Sequence, residues 1–133
     1  MIPGAFVKFQ KPSKELERWR EAVRGLGSII SHQKNGIQIH HPIGRTAKVK
    51  GVGNVGHFFI LPLTHWEHTY IHQGKFGLDV LRHDWLAFNN DKHDDEMQKF
   101  TRLDLEKFLF DRVCNKLDCP SPEAVTAIMD YRK

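Results

Sequence analysis

The sequence predicts an α+β domain, and three observations carry that prediction. Two strand-like stretches, residues 37–41 and 58–63, are rich in β-branched and aromatic side chains and flank a glycine-rich loop. A histidine-bearing segment with its own helix-start signal follows at once. From residue 76 onward, apolar residues recur at helical spacing. The 133 residues fit one domain with a modest core. A content of 40% hydrophobic and 27% charged residues argues against disorder. The expected organisation is a single domain over residues 1–133. A small strand–strand–helix core lies at about residues 37–73, and a helical C-terminal extension at about 76–131.

Taken in order, residues 1–11 read as a short extended arm, with Pro3-Gly4 and Pro12 as punctuation. Residues 13–24 predict a helix capped by Ser13, with Leu16, Trp19, Ala22 and Val23 near one face. Gly25 and Gly27 end it. Residues 28–32 are apolar and predict a short strand, and Lys34-Asn35-Gly36 is a hairpin-type turn signal. In residues 37–41, Ile37 and Ile39 point to one side, Gln38 and His40 to the other. Residues 42–56 predict a loop holding Gly44, Gly51, Gly53 and Gly56 together with Arg45, Lys48 and Lys50. Residues 58–63 form the second strand. Thr64 caps a helix over residues 65–72, with Glu67 completing a capping box. Gln73-Gly74 closes it.

Residues 76–88 predict a further helix carrying Leu78, Val80, Leu81, Trp85 and Leu86, and residues 89–96 an acidic connector. Residues 101–117 predict a helix opened by the Thr101/Asp104 pair. Leu105, Phe108, Leu109 and Val113 make one apolar stripe; Leu103, Phe110 and Cys114 make a second. A helix apolar on two sides is sandwiched in a core or in an oligomer interface, so a homodimer stays open. Ser121-Pro122 starts a last helix, with Val125, Ile128 and Met129 facing inward.

No apolar run reaches membrane-spanning length, and no charged-then-apolar segment opens the chain. Cys114 and Cys119 read as reduced thiols. A cytoplasmic protein without a membrane partner is expected. Charge is uneven: residues 1–82 hold 12 Lys/Arg against 5 Asp/Glu, residues 83–133 hold 8 against 11. A basic half suits a polyanion such as DNA or RNA, although charge alone favours a solvated surface with no partner.

Six of the nine histidines fall in residues 37–72: His40, His41, His57, His65, His68 and His72. His68 and His72 are four apart, so on a helix both imidazoles lie on one face and can hold one ion. His32, His83 and His93 read as polar surface.

The stretches Ile39-His40-His41-Pro42 and Leu61-Pro62-Leu63, with the His-bearing helix after them, resemble the ββα-metal (HNH, or His-Me finger) nucleases. Within that family the text is most similar to phage recombination-enhancement nucleases of the RecA-dependent type. The resemblance implies a β-hairpin plus helix core with additional N- and C-terminal helices. It implies His40, His68 and His72 as metal ligands and His41 as general base. It further implies DNA, single-stranded or duplex, as substrate and a RecA-type recombinase as partner. Two departures stand out. Many members carry Cys pairs where this chain has Ser28, Ser31, Thr64 and Glu67, so no structural zinc knuckle is expected; packing by Ile29, Ile30 and Trp66 takes its place. The Asn of the HNH name falls near Phe59, leaving His57 or Asn54 to assist the base.

Phosphodiester hydrolysis needs a water, a base to deprotonate it and a counter-charge for the leaving oxygen. A neutral His41 can accept the proton. One divalent ion on three imidazoles leaves positions open for phosphate and water. Imidazole suits Zn²⁺, Ni²⁺ or Mn²⁺ better than Mg²⁺, yet related nucleases often use Mg²⁺, so the ion is left open. Arg45, Lys48, Lys50 and His65 are the candidate nucleic-acid contacts. The expected function is a DNA endonuclease or nickase in phage recombination or DNA processing. The alternatives are a catalytically inactive nucleic-acid-binding protein of the same fold and a metal-stabilised interaction protein.

Overall fold

The computed structural model describes residues 14–92 and 94–132. The expected N-terminal arm, the Ser13 cap and His93 lie outside the described residues. Six helices and two small antiparallel sheets make the described part α+β. No helix among them is long and apolar enough to cross a membrane.

Helix α1, Lys14–Gly25, has acidic residues in its first turn and Arg24 in its last, matching the helix dipole. It buries Leu16, Trp19 and Val23 along one face. The Trp19 indole N–H donates to the Phe58 carbonyl at 3.0 Å, which fixes α1 to a loop 39 residues away. Residues 28–32 are not a strand. Ser28 Oγ accepts from the Ile30 and Ser31 amides, and the His32 amide donates to the Ser28 carbonyl. A hydroxyl bonding its own backbone two and three residues on favours a turn over a ladder, and Ile29 and Ile30 still reach the core from that turn.

Strand β1, Gln38–His40, pairs with β4, Leu61–Leu63, in antiparallel register, His40 opposite Leu61. Both strands are shorter than the sequence predicts. After β1, the Gly44 amide donates to the His41 carbonyl and turns the chain. Before β4, the Phe58 and Phe59 amides both donate to the Val55 carbonyl, curling residues 58–60 into a turn. The predicted loop holds a second hairpin, β2, Lys48–Val49, against β3, Gly53–Asn54. Gly51 at its tip has φ 82°, which favours glycine.

Helix α2, His65–Tyr70, starts where predicted: Thr64 and Glu67 form the full capping box. It ends two residues early, so His72 lies in the following turn. Helix α3, Gly74–Asn89, buries Gly77, Leu81 and Trp85. The expected connector contains a short helix, α4, Asp94–Met97. Helix α5, Arg102–Lys116, carries the Thr101/Asp104 capping box and packs against β4 and α3. Phe59 meets Phe110 edge-on at 5.1 Å. The Lys107 ammonium donates to the Met129 and Tyr131 carbonyls, closing the end of α6, Pro122–Asp130, which is capped by Ser121.

The crossing of α2 and α3 depends on one glycine. A Cβ on Gly77 would sit 1.8 Å from the Tyr70 carbonyl oxygen. Alanine normally favours a helix interior by about 1 kcal/mol over glycine. Here the clash is with backbone, and overpacking costs roughly 1–3 kcal/mol or more. Gly77→Ala is therefore expected to lower the denaturant midpoint rather than raise it; a raised midpoint would contradict the close crossing.

Candidate metal centre

Three imidazoles meet where β1, α2 and the turn after α2 come together. His40 closes β1 and is 2% exposed. Its ring centroid lies 4.9 Å from that of His68 and 5.3 Å from that of His72, and those two are 5.5 Å apart. One ring nitrogen of each lies within 4.8 Å of the others, the single such group among the described residues. Nitrogens bound to one ion at ~2.0–2.1 Å sit ~3–4 Å apart, so side-chain movements of about an ångström would close the set.

Local sequence puts each imidazole there. Pairing of Gln38 with Leu63 sets β1 beside the start of α2, with His40 two residues further along the strand. Thr64 begins the helix at His65, which aims His68 at β1; its Nδ1 lies 2.9 Å from Gln38 Oε1. Gln38 shares the His40 side of the strand by the two-residue period. The His72 amide donates to the Thr69 carbonyl at 3.2 Å, so the turn continues far enough to keep His72 beside His68.

An outer layer surrounds the three. His40 Nε2 lies 2.6 Å from Glu106 Oε2, and Glu106 on α5 is 1% exposed. Arg102, one turn earlier, donates through Nε to the same oxygen at 3.3 Å and through Nη2 to the Pro42 carbonyl at 3.3 Å. Its other terminal nitrogen is 3.4 Å from His72 Nδ1. Sequence reasoning missed both residues. The signal was there: Glu106 falls in line with Leu103 and Phe110, a carboxylate at an apolar position of a helix.

Burial, then the neighbouring His40, holds His68 and His72 below the ordinary imidazole value of 6.5. Both are neutral at pH 7, with lone pairs to offer a cation. His41 is lowered further, to about 4, by burial first, then by Arg45, Arg20, His40 and His57. His57 is lowered by burial, then Arg20 and Arg45. Backbone geometry explains this gathering. A Cβ on Gly56 would meet the Gly44 carbonyl at 2.0 Å, so only glycine lets these segments touch. The contact sets His57 next to Arg45, and the Trp19–Phe58 bond sets Arg20 beside the same loop. Arg20 had no motif to mark it in the sequence.

Arg45, Lys48 and Lys50 are exposed and make no ion pair among the described residues. Lys48 opens β2. His65 lies 3.5 Å from the Gln38 amide and edge-on to Trp66. Neither candidate assistant reaches His41. Asn54 Oδ1 accepts from the Gly56 amide and shapes the loop, while His57 Nδ1 is buried without a partner. Phe59 is core. At the four positions expected to lack a knuckle, Ser28 Oγ donates to Glu67 Oε1 at 2.7 Å, and the Thr64 amide donates to the same oxygen at 2.8 Å. Ile29 and Ile30 pack there as expected, but Trp66 is 66% exposed and does not.

Comparison with protein-family models, with curated proteins and with solved structures gives no match to this chain.

The lowered histidines set an acid limit. His41, His57, His68 and His72 all have folded values below 6.5, their value in an unfolded chain. Below that pH the unfolded chain binds protons that the folded chain refuses. Stability is therefore full above about 6.5 and is lost as pH falls toward about 4, the His41 value. The melting temperature of metal-free protein should drop steadily from pH 7 to pH 5; an unchanged midpoint across that range would refute the assignment.

Proposed function

We propose that the chain is a metal-dependent DNA endonuclease or nickase, with β1, β4 and α2 forming a ββα-metal core. The observation that carries this reading is the convergence of His40, His68 and His72 beside a neutral His41. A divalent ion held by the three imidazoles supplies a Lewis acid for the phosphate and a counter-charge for the leaving oxygen. The neutral imidazoles suit Zn²⁺, Ni²⁺ or Mn²⁺. His41 takes the proton from the attacking water; a low pKa keeps it unprotonated at neutral pH, at some loss of basicity. Arg20 and Arg45 flank His41, and Lys48 and Lys50 extend the positive surface along β2 and its turn. These groups hold phosphates, whose position on the duplex or single strand aligns the scissile bond.

The test is cleavage of single-stranded, duplex and branched DNA across titrations of Mn²⁺, Zn²⁺, Ni²⁺ and Mg²⁺. Metal-dependent cleavage is expected. Chelator should abolish it while the far-ultraviolet circular dichroism persists, because the apolar core rather than the ion supports the fold. No cleavage with any ion on any substrate would reject the enzyme. Salt-sensitive DNA binding without cleavage would favour a catalytically idle relative, a reading favoured by one observation: His41 makes no side-chain hydrogen bond among the described residues, so no partner orients it.

A further inference from the structure

We infer that Glu106 is a positioning residue of the metal centre: its carboxylate accepts the His40 Nε2–H and thereby presents the other ring nitrogen to the ion, making helix α5 part of the site. The inference rests on the metal-binding reading of His40, His68 and His72.

An ionised carboxylate only accepts hydrogen bonds. At 2.6 Å from Glu106 Oε2, His40 Nε2 must carry the hydrogen, which leaves Nδ1 with the lone pair. Both side chains are 2% exposed, so solvent cannot substitute for either partner. Glu106 is also fixed in direction. The Thr101/Asp104 capping box sets the start of α5, and Leu105, Leu109 and Phe110 around Glu106 are core. Arg102 holds the same carboxylate oxygen from one turn away.

Stability alone is a weak reason for such a pair. Burying two polar ionisable groups costs several kcal/mol, and apolar replacements of like volume are often as stable. Outer carboxylates on ligand histidines do something else: they fix the tautomer and ring orientation and raise ligand basicity, an effect of roughly 10–100-fold in metal affinity. One neighbour follows the same logic. Gln38 Oε1 faces His68 Nδ1 at 2.9 Å; as an acceptor it places the hydrogen there and frees Nε2. Arg102 has only donors, so it faces the His72 Nδ1 lone pair and must release it before that nitrogen can bind an ion. His40 and His68 thus each have a side-chain acceptor that frees one ring nitrogen, and the more buried of the two depends on a residue 66 positions away in the chain.

The test is Co²⁺ binding to the full chain, read by visible absorption and by competition with a chromophoric chelator, for the parent, Glu106→Gln and Glu106→Ala. Glutamine keeps the size and one acceptor oxygen but loses the charge. Co²⁺ affinity is expected to fall about 10-fold for Glu106→Gln and up to about 100-fold for Glu106→Ala. Metal-free Glu106→Gln should keep the parent's circular dichroism spectrum, and its Co²⁺ absorption should shift as the His40 ligand field weakens. If Glu106→Gln binds Co²⁺ within about twofold of the parent and with the same spectrum, the inference is overturned whether or not Glu106→Ala folds. A parent chain that binds no Co²⁺ overturns the metal-binding reading together with this one; a parent that binds while the variants are unaffected overturns this one alone.

Discussion

His41→Ala is expected to slow metal-dependent DNA cleavage by on the order of 10²-fold or more while DNA affinity stays near that of the parent. The side chain removed is a proton acceptor, neutral at pH 7 because burial and the flanking Arg45 and Arg20 hold it at about 4. It is not among the three converging ligands, so Co²⁺ or Mn²⁺ affinity should change little. DNA affinity comes mainly from phosphate contacts by lysine and arginine, which the substitution leaves in place. Arg45→Ala and Lys50→Ala should do the reverse. Each should weaken binding across all sequences and reduce the salt slope by about 1, with a smaller effect on turnover at saturating DNA. Single-turnover cleavage and salt-dependent binding on one oligonucleotide separate the two classes. Parent-like cleavage by His41→Ala would remove it as the base. His57, buried at Nδ1 without a partner, would then be tested first and His65 second.

What could be read from the sequence was local. The capping boxes at Thr64 and Thr101 and the Ser121-Pro122 start lie within four residues of the helices they begin, and all three form as expected. The His68/His72 pair was legible from its four-residue spacing, and His40 joined it only through the family resemblance. Failures occurred where a longer-range or competing bond decides. Residues 28–32 look like a strand by apolarity, but the Ser28 hydroxyl satisfies two amides of its own segment and its own hydrogen goes to Glu67. Residues 58–60 have strand composition, but their amides bond back into the turn and Trp19 takes the Phe58 carbonyl. Arg102, Glu106 and Arg20 carry no spacing relation to the histidine motif. Only the folding of α5 and α1 against the β1–β4 sheet brings them to it.

The pairing of His40 with Glu106 also predicts that two ligand substitutions with the same functional effect will differ in stability. His40→Ala and His68→Ala each remove one of three ligands, so both should lose tight metal binding and metal-dependent cleavage. In metal-free protein they should part. His40→Ala leaves the Glu106 carboxylate buried with Arg102 as its remaining partner, and Arg102 is 40% exposed and bonded at only 3.3 Å. Leaving a buried charged acceptor without its donor costs about 1–3 kcal/mol or more. His68→Ala strands only the Gln38 amide at an exposed position, where water replaces the lost bond, so about 1 kcal/mol or less is expected. Denaturant titrations in chelator measure the difference. Adding Glu106→Leu to His40→Ala should recover part of the loss, because the stranded carboxylate goes with it, and the double-mutant cycle then gives the coupling directly. Equal midpoints for His40→Ala and His68→Ala, with no recovery by Glu106→Leu, would mean that the buried carboxylate does not depend on His40, and the tautomer assignment at the centre would fall with it.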